Sequence, residues 1–313
     1  MRISKSRKET DAKSGNKNEY STSQLFNFSR DSYLERTSRP ICALVFLLPF
    51  IVFYEAGTFL INTDILNKSQ IRVVAFVWLQ SLLESLGFSG KFAWVAPPLA
   101  VIVILLALQI SSGRQWKFFL SDFIPMSIEC ILLAVPLIVL TLFLNSAGSQ
   151  SDVAWLNSNL EPDGMALSGC ISLANGAIFM SAGPGAGLLG HTLLTNIVTG
   201  IGAGIYEELV FRLILICLLM LFFQDALGFS HKNSIVLSVL ISAALFSAHH
   251  HIDFFSGRPN VVDPFNLVRF TFRTIAGIYF AALFAIRGFG ITAGTHAFYN
   301  IIAVTITIQF FQH

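Results

Sequence analysis

The sequence predicts an all-α fold, a polytopic transmembrane helical bundle of about seven to eight spans. First, 54% of the 313 residues are hydrophobic and only 12% are charged, and the mean hydropathy is +0.68, far too apolar for a soluble domain of this size. Second, the apolar residues fall into runs of about 20, the length of helix that crosses the hydrocarbon core. Third, 9 of the 20 Lys and Arg precede Pro40 in a Ser- and Asn-rich stretch, the distribution that the positive-inside rule assigns to the cytoplasmic face.

Residues 1–39 are expected to be a polar, basic, disordered cytoplasmic tail. They contain no compact apolar stretch followed by a small-residue cleavage site, so no removable signal peptide is expected, and the first span serves as the targeting signal. Candidate spans are 41–61, 92–112, 123–144, 234–252, 267–286 and 291–311, with a longer apolar region, 188–223, that forms one tilted span or two shorter segments. The stretch 71–86 carries Gln80 and Glu84 and is short, so it is laid along the outer membrane surface. With the tail inside, the second span returns to GRQWK (Arg114, Lys117), and SQSDVAWLNSNLEPDG, which lacks Lys and Arg, lies outside. Seven spans then put Arg287 inside. The Gly- and Ser-rich segment 164–187, as an extra span, would make eight and reverse everything after it. The organisation is thus a tail (1–39), N-terminal helices with an outer loop (40–187) and a C-terminal core (188–313).

The core holds the charges that an apolar segment least tolerates. GAGIYEELVFRLILI (202–216) contains Glu207, Glu208 and Arg212, which unpaired would cost roughly 8–10 kcal/mol at a bilayer centre. Glu208 and Arg212 are four apart and share a helical face, whereas Glu207 is rotated by about 100°. Arg212 can therefore neutralise Glu208 and leave Glu207 facing elsewhere. A carboxylate in a low-dielectric site without a charge partner has the character of a general base working near neutral pH. A structural ion pair between helices explains Glu208 with Arg212 but not the second acid. Further on, ALFSAHHHID sets His249, His250 and His251 at the end of an apolar run, and GTHAFYN sets His296 and Asn300 four apart on one face. An imidazole and an amide so placed can donate hydrogen bonds to a developing oxyanion, although interhelical bonding alone would also account for them. Polar groups from three apolar segments tend to converge, because lipid cannot satisfy them. The chemistry that uses such a set is activation of a water by Glu and His, with attack on a carbonyl.

EELVFR fits the pattern EExxxR, Phe246 with His250 fits FxxxH, and His296 with Asn300 fits HxxxN, in that order. In these motifs, over about 110 residues from 202 to 307, the chain resembles the intramembrane endopeptidases of the CAAX-protease and bacteriocin-processing (CPBP) family, which include the prenyl-protein CAAX protease. RPICALVFLLPFIVFYE (39–55) is similar to the first span of a bacterial branch. The resemblance implies Glu207 as the water-activating base, Glu208 held by Arg212, His250 assisting the water, and His296 with Asn300 as the oxyanion site. It implies a membrane-tethered or prenylated protein or peptide substrate, the lipid bilayer as surroundings, a bacterial inner membrane as the location, and no nucleic acid. No cofactor is firmly implied. Zinc is the alternative, since Glu and two His suit it, although the chain lacks HExxH. His249 would be the matching histidine if Leu245 set the register.

A proton-coupled transporter also needs buried Glu, His and Arg, but the chain shows no inverted repeat of the transporter kind. A catalytically silent scaffold would not need all three motifs. Glu55 and Glu129, lone acids within spans, are expected to pair with neighbouring helices, and Arg269 and Arg273 to snorkel to headgroups. The four cysteines, Cys42, Cys130, Cys170 and Cys217, lack CxxC spacing and read as buried small hydrophobes. One difficulty follows from the topology. His250 lies late in its span and His296 early in a parallel one, which would set them about 15 Å apart in depth unless the spans are tilted or unequal.

Overall fold

The computed structural model describes residues 28–29, 31–61, 73–88, 93–156, 186–252, 254, 259 and 265–311. The described residues are helical almost throughout: α1 (Tyr33–Thr37), α2 (Pro40–Ile61), α3 (Val74–Ser85), α4 (Ala96–Ser112) and α5 (Phe123–Leu156), then α6, which runs from Ala186–Glu208 directly through Leu209–Ile216 and Cys217–Met220 to Leu221–Ala226, and α7 (His231–His251), α8 (Leu267–Arg287) and α9 (Phe289–Phe311). Among them 6 helices are long and apolar enough to cross a membrane. The chain is a multi-pass integral membrane protein. The span expected at 92–112 is the 17-residue α4, one of the two shorter apolar helices, and the long region 188–223 is a single continuous helix. The segment 164–187, weighed above as an extra span, and the tail to residue 27 lie outside the described residues.

One boundary differs. The third span was expected to end at 144, yet α5 continues to Leu156 through SAGSQSDVAW. Extending an existing helix adds one backbone hydrogen bond per residue fixed, without a new nucleation penalty, and no proline interrupts the chain before Pro162.

The first helices, the end of α8 and the turn before α5 are tied at one end of the bundle. Arg287 bonds Glu129 of α5 through two nitrogens (2.6 and 2.9 Å), and also reaches Thr37 Oγ1, Ser38 Oγ and the Leu34 carbonyl. Tyr33 Oη donates to the same Glu129 (2.8 Å). Arg36 pairs with Asp122 (2.9 Å), and Arg39, buried, reaches Glu35, Asp31 and the Lys117 carbonyl. Arg287 thus sits at the same end as the start of α2 and the GRQWK stretch, the grouping that the seven-span reading requires. Glu129 has its expected partner across helices, and Glu55 accepts from Tyr206 Oη of α6 (3.2 Å).

α9 is the central helix, packed against α6, α5, α2 and α8, and 72% of its spanning window is buried, against at most 44% for the other spans. It approaches α6 closely because the facing positions lack side chains. A Cβ on Gly200 would lie 2.9 Å from Asn300 Cβ, and one on Gly204 would lie 2.6 Å from the Ala297 backbone nitrogen. Small residues of this kind let membrane helices pack backbone to backbone.

Candidate active site

The site is built on the middle of α6. Glu207 and Glu208 end a regular α-helical stretch, and the helix widens to π turns from Leu209 to Ile216. Such turns are frequent at functional sites. The wider turn is supported from α7, where Ser242 Oγ donates to the Phe211 carbonyl (2.7 Å).

The two adjacent acids face different partners. Glu208 is fully buried and held from both sides: His296 Nδ1 of α9 lies 2.7 Å from Oε1, and Arg212 Nε lies 3.1 Å from Oε2. Arg212 is also fully buried, with Nη2 on the Gly277 carbonyl of α8 (3.3 Å) and its guanidinium 4.2 Å from the ring centre of Phe246, a cation–π arrangement. Phe280 of α8 stacks on His296 at 4.5 Å. Glu207, 6% exposed, turns instead to α7, where His249 Nε2 lies 3.9 Å from its Oε1. The division read from the spacing is the division observed: Arg212 serves Glu208, and Glu207 is left to other work.

The histidines separate in the same way. His249 and His250 both direct Nδ1 to the Phe246 carbonyl, His250 at 2.9 Å, and their ring centres are 3.8 Å apart. The Phe246 ring, one turn earlier, lies 6.2 Å from that of His296. The depth difficulty is therefore met by stagger: Phe246 is 15 residues into α7 while His296 is 7 residues into α9, so α7 begins on the order of 10 Å farther out. His251 turns away, with Nε2 3.4 Å from Arg273 Nη1. Arg273 is 4% exposed and so does not snorkel as expected. Asn300, the sixth motif residue, donates Nδ2 to the Gly200 carbonyl (3.0 Å) and fastens α9 to α6 two turns from the acids.

Glu207, His249 and His250 offer one carboxylate oxygen and two imidazole nitrogens, all within 4.8 Å of one another. This donor set fits zinc, and a histidine with Nδ1 bonded to a backbone carbonyl presents the Nε2 a metal would take. The residues that the motifs did not indicate are aromatic. Trp78 of α3 and Phe211 of α6 lie 5.5 and 4.8 Å from His249, ring centre to ring centre. Nothing in the apolar stretches around them distinguishes them from core.

The fold and the site define a polytopic membrane protein with an acid–histidine centre inside its helical bundle. Residues 189–302, which hold Glu207, Glu208, Arg212, His249, His250, His296 and Asn300, match the family model of the Rce1-like, type II CAAX prenyl endopeptidases, and this C-terminal core belongs to that family, as the motifs implied. No curated protein and no solved structure matches the chain.

Proposed function

We propose that the chain is an intramembrane endopeptidase that hydrolyses a peptide bond of a membrane-tethered or prenylated substrate in a bacterial inner membrane. The observation that carries this reading is the unequal treatment of two adjacent carboxylates: Glu208 is neutralised by Arg212 and His296, while Glu207 meets only the imidazole side of α7. Glu207 takes a proton from a water, the hydroxide adds to the substrate carbonyl carbon, and the proton passes to the leaving amine nitrogen as the C–N bond breaks. His249 and His250 hold that water from the α7 side. His296, its Nδ1 engaged by Glu208, presents Nε2 to the developing oxyanion, and Asn300 contributes by fixing the helix that carries it.

Cleavage of membrane-tethered peptides by purified wild type and Glu207→Gln tests this. The variant is expected to lose at least about a hundredfold in rate, the typical scale of general-base catalysis, with unchanged unfolding. Equal rates would overturn the assignment.

The donor set of Glu207, His249 and His250 favours a second reading, in which zinc held there supplies Lewis-acid activation of the water. Loss of cleavage on chelation, restored by zinc, would select it, and chelator-insensitive cleavage would exclude it.

A further inference from the structure

Helix α3 lies outside the matched core, yet it touches the site at two points. Phe76, fully buried, meets Tyr206 edge to face at 4.9 Å, on the residue immediately before Glu207. Trp78 meets His249 edge-on at 5.5 Å and stacks on Phe254 at 5.5 Å. Residues two apart on an α-helix diverge by about 200°, so α3 straddles the centre, with one flank against the carboxylate side of α6 and the other against the imidazole side of α7. The His249 ring is bounded by Trp78, by Phe211 at 4.8 Å and by Phe246 at 5.4 Å. Its Nδ1 is held by the Phe246 carbonyl, and its Nε2 is turned to Glu207.

We infer that Trp78 is a positioning residue for the reaction: it holds the His249 ring in the rotamer that faces Nε2 to Glu207, which makes α3 part of the active centre. The inference rests on the reading of Glu207 as the working carboxylate. Phe211 and Phe246 come from the two helices that already carry the site, and the χ2 rotation of a histidine is broad and soft. The indole is the contact supplied from outside those helices, and it bounds the ring on the side that they leave to α3.

The test compares full-length wild type, Trp78→Phe, Trp78→Ala and, on the exposed flank of the same helix, Leu82→Ala, which is 55% exposed in wild type. Steady-state cleavage of a membrane-tethered peptide is measured, together with the NMR signals of isotope-labelled histidine, His249 being identified through His249→Gln. Trp78→Ala is expected to lower kcat about threefold to tenfold, the range that an aromatic contact of this geometry carries, with little change in KM. Trp78→Phe recovers most of the loss, Leu82→Ala matches wild type, and the His249 signal loses its indole ring-current shift in Trp78→Ala. An unchanged kcat, a loss confined to KM, or an equal loss in Leu82→Ala would overturn the inference. The NMR arm separates it from the endopeptidase reading. A wild type that cuts no tethered peptide refutes that reading, whereas a His249 signal indifferent to Trp78→Ala refutes the positioning role.

Discussion

At the scale of single residues, the centre depends on how one buried charge is shared. Glu208 is bonded by His296 and paired with Arg212, and Arg212 is sandwiched between Glu208 and the Phe246 face, with no other carboxylate in hydrogen-bond range among the described residues. Removing one partner of such a buried pair strands the other, at a cost of about 3–5 kcal/mol. Arg212→Ala is therefore expected to lower stability by that amount in detergent unfolding. Arg212→Lys, which keeps the charge but loses the planar stack on Phe246, should fall between it and wild type. Glu207→Gln should unfold like wild type, since no cation depends on Glu207; equal destabilisation of Arg212→Ala and Glu207→Gln would show that the two acids are not differently employed. The acid–arginine division was legible because helical spacing of four is a geometric constraint. The choice among His249, His250 and His251 was not, because consecutive residues step by about 100° and only the neighbouring helices decide which ring faces in. The FxxxH pattern pointed to His250, and the structure brings His249 to Glu207 as well, both rings anchored on one carbonyl.

At the scale of the element, the contact of α6 with α9 sets the site, because Glu208 and His296 come from these two helices. Gly204 lies four residues before Glu208, and a side chain there would meet the Ala297 backbone, one residue after His296. Gly204→Val must push the helices apart at the level where their polar groups bond. Overpacking of this kind costs about 1–3 kcal/mol. The expected outcome is a lower melting temperature together with a loss of cleavage larger than that of Leu82→Ala, measured on the same preparations. Retained stability and activity would mean that the two backbones can separate without disturbing the Glu208–His296 bond. The spans themselves were legible from length and apolarity, since about 20 apolar residues have few other uses. The π turns after Glu208 were not, because a change of backbone period leaves no mark in an all-apolar stretch such as LVFRLILI. The role of α3 was also hidden, since a short helix with one buried face reads from sequence as surface-lying.

At the scale of the whole molecule, the end of α8 is locked to the helices that open the chain. Arg287 joins α8 to α1 and α5 through Glu129, Thr37, Ser38 and the Leu34 carbonyl, and Tyr33 completes the cluster through Glu129. Only Gly288 separates α8 from α9, so this lock also fixes where α9 enters the bundle, 7 residues before His296. Burial, and then the hydrogen bond and charge of Glu129, raise the Tyr33 hydroxyl above its ordinary value of 10.0. The unfolded chain releases this proton near its ordinary value while the folded chain keeps it. Stability carried by Tyr33 is thus fully present below about pH 10 and declines as the pH rises beyond it. Melting temperatures of wild type and Tyr33→Phe from pH 8 to 11 check this. Phenylalanine cannot ionise, so the alkaline decline should be shallower in the variant, and the gap between the two proteins should narrow as the pH rises. Parallel declines would place the alkaline sensitivity elsewhere in the molecule and leave Arg287 and Glu129 to hold this end without Tyr33. A narrowing gap would show that the residues just ahead of the first span, which lie outside the matched core, help to hold the helix that carries His296.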